Sequence, residues 1–277
     1  MQPPLHTATR YVQPLREGGS LPAVVDTADG GLFVVKFRGA GQGVKALVAE
    51  LIAGLLARAA DLPVPELALI DVLPAFGRTE PDPEIQDILR GSRGLNVGMR
   101  YLDGAFNFDG RAAGEFVPPA LAARIVWLDA FLTNPDRTAR NPNLLIWRRR
   151  PWLIDHGAAL YAHHAWASAD EARTVAPFTR IRDHVLLLAA GDLEAADAEM
   201  RRALTVRAVD GAIDAIPDAF LEDPLVAADF PTAAAARDRY RTYLHARLAA
   251  SHAFLADAIA AREEKRHEPS VRRTARR

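Results

Sequence analysis

The chain contains no cysteine. That one absence excludes disulfide staples, thiolate nucleophiles and Cys-type zinc sites. Long apolar runs are missing as well. None approaches the roughly 20 residues needed to span a bilayer, so no membrane association is expected. Nor is there an excess of charge of one sign. Lys and Arg number 34 against 35 Asp and Glu, a formal net charge of −1. No overall basic field points to nucleic acid. Met1 to Arg10 carries no apolar core, so the expectation is no secretory signal and a cytoplasmic location. What remains is ordinary globular material: 277 residues, 49% apolar and 25% charged. That is enough for one large domain or two lobes sharing a cleft.

The first third reads as strands followed by a helix. Ala8 to Leu15, Leu21 to Thr27 and Leu32 to Phe37 have strand composition, the last being β-branched and aromatic around one charge. Asp29-Gly30-Gly31 is a tight turn. Glu17-Gly18-Gly19-Ser20 is either a plain hairpin turn or a place where Gly18, Gly19 and Ser20 let the backbone approach a phosphate. Lys36 lies inside an apolar strand, where it either snorkels or points into a cleft to neutralise phosphate oxygens. Gly39 to Gly43 is a linker. Val44 to Ala60 follows as a helix, its apolar positions recurring with a period of about 3.6 residues. Glu50 borders that apolar stripe and can reach the strand lysine. Leu62-Pro63-Val64-Pro65 breaks the chain, and Glu66 to Leu73 reads as a buried strand. Residues 74–94, rich in Pro, Gly and charge, read as an exposed excursion. Asn96 to Leu102 reads as another strand.

The centre carries the chemistry. Pro118 to Leu132 is a helix that feeds a polar loop with two prolines, Asn134 to Pro142. Leu144 to Trp147 and Trp152 to Ile154 form a hairpin across the basic turn Arg148-Arg149-Arg150-Pro151, which reads as a solvated tip. Asn141 stands just before the first strand and Asp155 just after the second, so the two converge near Asp136. An Asp, an Asn five residues on and a further Asp suit phosphoryl transfer. Mg²⁺ takes hard oxygen ligands, here Asn141 and Asp155. Asp136 aligns an acceptor hydroxyl and takes its proton, while Lys36, braced by Glu50, balances phosphate charge. His163 and His164 lack helical ligand spacing and read as surface or substrate-side residues, not a transition-metal site.

These segments resemble the HipA-like kinase family. The resemblance rests on Phe33-Val34-Val35-Lys36-Phe37, the helix around Ala49-Glu50-Leu51, and Leu62-Pro63-Val64-Pro65. It continues through Asn134-x-Asp136-Arg137-x-x-x-Asn141 and Ile154-Asp155-His156-Gly157, and extends from about Ala8 to Ala165. It implies an α+β, two-lobed protein-kinase-like fold: a small antiparallel-sheet N-lobe over residues 1–102 and a mainly helical C-lobe over residues 103–262. It also implies ATP and Mg²⁺ as cofactors and Ser/Thr phosphotransfer to a protein or peptide substrate, with room for a protein regulator. In that layout the backbone at Met99 and Tyr101 would bind adenine. The metal triplet is Asp155-His156-Gly157 in place of Asp-Phe-Gly. Aminoglycoside-type phosphotransferases share the Asp-x-x-x-x-Asn pattern, and a nucleotide-binding pseudokinase is a further alternative. The acceptor is not written in any motif.

Beyond Arg182 the chain reads as helical: Val185 to Ala190, Leu193 to Arg207, Asp210 to Leu221 and a long helix from Ala233 to Arg262. Residues 263–277 have the composition of a disordered basic tail, in which Ser270 and Thr274 are candidate phosphate acceptors.

Overall fold

The computed structural model describes residues 2–15, 21–28, 31–41, 43–78 and 80–267. The turn residues Glu17 to Ser20, Asp29 and Gly30, and the tail residues Ser270 and Thr274, lie outside them.

The N-terminal part is a sheet closed on itself. Strands β1 (Leu5–Pro14), β2 (Ala23–Thr27) and β3 (Leu32–Lys36) precede helix α1 (Val44–Ala59). Strand β4 (Leu67–Val72), helix α2 (Pro83–Gly91) and strand β5 (Gly94–Arg100) follow it. The strands form a barrel in the order β1-β2-β3-β5-β4. A simple antiparallel sheet was expected; instead β1 pairs in parallel with β4, Leu5 opposite Leu69, and closes the edge. Alternation along β3 buries Phe33 and Val35 in the barrel and turns Val34 and Lys36 to the other face. From that face the strand lysine reaches Glu50 on α1. Most of α1 is buried, because it packs on β4 and β5 on one side and on C-terminal helices on the other.

The segment 74–94 is not simply an exposed excursion. Asp82 caps α2 by accepting from the Glu84 N–H, and Pro83 sits in its first turn, a helix-start signature. Leu89 then buries against the barrel.

The C-terminal part begins with strand β6 (Phe106–Asn107) and helices α3 (Ala113–Phe116) and α4 (Pro119–Phe131). Strands β7 (Leu144–Trp147) and β8 (Arg150–Leu153) form the expected hairpin, and β6 joins it as a third strand. Arg148 and Arg149 have φ of 50° and 61°, the primed turn that suits a two-residue hairpin loop. The guanidinium of Arg148 lies over the Trp147 ring, 4.2 Å from its centroid.

Helices α5 (Glu171–Thr174), α6 (Leu193–Ala203), α7 (Val206–Asp214), α8 (Asp218–Leu221), α9 (Pro224–Ala227), α10 (Ala233–Ala249) and α11 (Ser251–His267) complete the chain. Their boundaries differ from the expectations in several places. Val185 to Ala190 is not a helix; Leu186 and Leu187 enter the core from turns. Thr205 caps α7 by accepting from the Ala208 N–H and so divides the expected helix through Arg207. Asp210 to Leu221 is likewise two pieces. The long C-terminal helix breaks at Ala250, which has no sequence marker. The break carries α11 over α4, where the Phe254 ring meets Trp127 and Phe131 at centroid distances of 5.3 Å and 6.3 Å. Residues 263–267, expected in the tail, belong to α11. No described helix is long and apolar enough to cross a membrane.

Candidate active site

Three pieces of chain meet beneath α1. Lys36, at the end of β3, extends its ammonium to Glu50 Oε2 at 2.5 Å and also to Asp155 Oδ1. Glu50 is 1% exposed, not at the helix surface border. Burial works to push the lysine's pKa down, but the two carboxylates outweigh it and hold it above its ordinary value. For Glu50, burial would raise the carboxyl, yet Lys36 above all, together with His156, holds it below its usual range. Both groups are therefore charged at neutral pH. An ideal Cβ at Gly157 would stand 3.2 Å from Lys36 Nζ, so the small residue after His156 leaves room for the ammonium.

The loop after α4 presents Asp136. Its backbone N–H donates to Asn134 Oδ1 at 3.1 Å, an Asx-type turn. Its carboxylate Oδ2 accepts from Asn141 Nδ2 at 2.9 Å and from Asn143 Nδ2 at 3.0 Å. The amide nitrogen of Asn141 is thus engaged, and its side-chain oxygen is the atom that could hold a cation. The hairpin closes as expected, with the Ile154 N–H donating to the Asn143 carbonyl at 3.1 Å. Asn143 and Asp155 both take left-handed backbone, φ 48° and 53°, which Asn and Asp tolerate better than most residues.

Beneath the loop lies a buried polar cluster that sequence reading missed. Asp129 on α4 is fully buried. Its carboxylate accepts from Arg137 Nε at 2.6 Å, His184 Nε2 at 2.9 Å and Asn134 Nδ2 at 2.8 Å. Burial would raise the Asp129 carboxyl, but Arg137 and His184 keep it below its ordinary value. Arg137, also buried, donates onward to the carbonyls of Asn143 and, at 3.4 Å, Ile154. One guanidinium therefore ties α4 to both ends of the hairpin that carries Asn143 and Asp155. A signal was present: Asp129 is the lone charge in the run Ile125 to Leu132, and a buried carboxylate requires partners.

Met99 and Tyr101 lie on and just after β5, where Met99 pairs with Val34 of β3. Met99 belongs to the main core, and β5 is hydrogen-bonded to β3 and β4 on both sides. The Tyr101 N–H donates to the Leu32 carbonyl at 2.9 Å. His163 is buried, its Nδ1 3.1 Å from the Tyr240 hydroxyl, so it is a core histidine and not a surface one. Among the described residues no group of three His, Asp or Glu side chains is placed to hold a metal. The donor set that Asp155 and Asn141 offer fits Mg²⁺ instead, which is commonly held by one or two carboxylates together with substrate phosphates.

The fold is that of a kinase. The solved structure of a Helicobacter pylori proinflammatory kinase, CtkA, superposes with a TM-score of 0.57, covering 96% of this chain and 100% of that one at 11% sequence identity. No curated protein sequence matches the chain. A family model for HipA-like kinases matches residues 9–241, and the chain belongs to that family.

Proposed function

We propose that the protein is an ATP- and Mg²⁺-dependent Ser/Thr protein kinase in which a nucleotide lies between a sheet lobe and a helical lobe. The observation that carries this reading is the meeting of Lys36, Glu50 and Asp155 in one ion-paired group, with Asp136 held nearby by two asparagines. Lys36 neutralises phosphate oxygens. Asp155 and Asn141 are the residues that would hold Mg²⁺, whose chemistry is to neutralise charge on the phosphates. Asp136 orients the acceptor hydroxyl and accepts its proton while the hydroxyl oxygen bonds the γ-phosphorus. The bond from that phosphorus to the bridging oxygen breaks, and ADP leaves.

Transfer of labelled γ-phosphate tests the assignment. Asp136→Ala lowers turnover by about 10²–10⁴-fold, the usual worth of a positioned base, while the Mg·ATP thermal shift persists. Turnover equal to wild type would remove Asp136 from the mechanism. Mass spectrometry after incubation with Mg·ATP and cell lysate is expected to find phosphate on Ser or Thr of a protein. Label confined to small molecules would overturn the protein-kinase part.

A further inference from the structure

The metal triplet carries His156 where kinases commonly have phenylalanine, and the side chain is completely buried. Packing alone would be served by an aromatic ring without nitrogens. What the ring does here is polar. His156 Nδ1 lies 3.2 Å from Glu50 Oε1, and the His156 backbone N–H donates to Glu50 Oε2 at 2.9 Å. The Glu50 carboxylate is thereby gripped on both oxygens by one residue, which fixes its plane. A lysine contact on a single oxygen does not do that.

The contacts close a ring. Lys36 bonds Glu50, Glu50 bonds His156, His156 follows Asp155 in the chain, and Asp155 bonds Lys36. The strand lysine, the α1 carboxylate and the metal segment therefore hold their positions together. We propose that His156 is a positioning residue for phosphoryl transfer, orienting Glu50, and through it Lys36, by an Nδ1–H donated to the carboxylate. This rests on the phosphotransferase reading of the same site.

The tautomer follows from the chemistry. Glu50 beside Lys36 is a carboxylate and can only accept, so Nδ1 must carry hydrogen. His156 Nε2 is buried with no hydrogen-bond partner among the described residues. Hydrogen on Nδ1 is donated to the Glu50 carboxylate, the one polar contact the ring makes among the described residues.

The test compares His156→Phe with His156→Asn and reads the wild-type ring directly. Phenylalanine fills the space and cannot donate. Asparagine packs less well, but its amide nitrogen can stand where Nδ1 stands. If His156 positions Glu50, His156→Phe loses about 10²-fold in kcat, while His156→Asn stays within about tenfold of wild type. If the ring only packs, the order reverses, because the apolar aromatic is then the better substitute, and the proposal falls. Nitrogen-15 NMR of the wild-type imidazole is expected to show hydrogen on Nδ1; hydrogen on Nε2 alone overturns the contact even if His156→Phe does not fold. A wild-type chain with the Nδ1–H form but no phosphate transfer would overturn the proposed function while leaving the Glu50 contact standing.

Discussion

Replacing Asp129 by Asn is the most demanding test of how the loop is held. The substitution keeps the shape of the side chain and removes its charge. The native carboxylate accepts three hydrogen bonds, from Arg137, His184 and Asn134, at 2.6, 2.9 and 2.8 Å. An amide has one oxygen, and its NH₂ must face at least one of those donors. The Arg137 charge, fully buried, then lacks a counter-ion. Breaking one partner of a buried pair costs about 3–5 kcal/mol. For a chain of this size that lowers the melting midpoint by roughly 10 °C. Urea and thermal denaturation measure the change. Stability within about 1 kcal/mol of wild type would refute the claim that Asp129 anchors the loop, because surface-like substitutions fall within about 0.5 kcal/mol. A double variant separates stability from positioning. Asp129→Leu with Arg137→Met removes both charges, and such replacements are often neutral for stability. It also removes the donor to the Asn143 and Ile154 carbonyls and the acceptor of His184 and Asn134, so stability returns only in part and turnover stays low. Recovery of both would refute the positioning role of Arg137.

Gly157→Ala places a methyl 3.2 Å from Lys36 Nζ, so the ammonium must shift by a few tenths of an ångström. A loss of about tenfold in kcat with an intact fold is expected, and unchanged turnover would show that the ammonium has slack. Lys36→Met leaves Glu50 buried without its first partner. It should abolish phosphate transfer and lower stability, and wild-type stability would contradict the burial of the pair. Acid titration of folding reads Asp129 and Glu50 together. Both are held below their ordinary values of 3.8 and 4.5. Their stabilisation is therefore complete above pH about 4.5 and is lost progressively as pH falls towards the folded-state values. The acid slope should flatten in Asp129→Asn; a slope unchanged from wild type would assign the proton uptake to other carboxylates.

Much of the site was readable along the chain because its parts are local. The alternation in β3 sets the face of Lys36, the period of α1 puts Glu50 within reach of it, though deeper than the border of the apolar stripe, and the hairpin joins Asn143 to Ile154 beside Asp155. In the sequence Asn143 looks like one more polar loop residue; only its amide on Asp136 distinguishes it. The helix break at Leu204 is marked only by the Thr205 cap. The one at Ala250 has neither Gly nor Pro, and packing of α11 across α4 decides where the chain bends.

The sequence by itself determined the local elements and the order of the chemical groups, since backbone periodicity and turn chemistry act over a few residues. Tertiary structure alone decided how the barrel closes, with β1 beside β4, because that pairing joins segments distant in the chain. It alone decided that Asp129, Arg137 and His184 form one buried cluster, and that His156 turns its ring nitrogen to Glu50. A charge or an imidazole in an apolar run announces that it needs a partner. Which partner it finds depends on which element packs over it, and that is set only when the core closes.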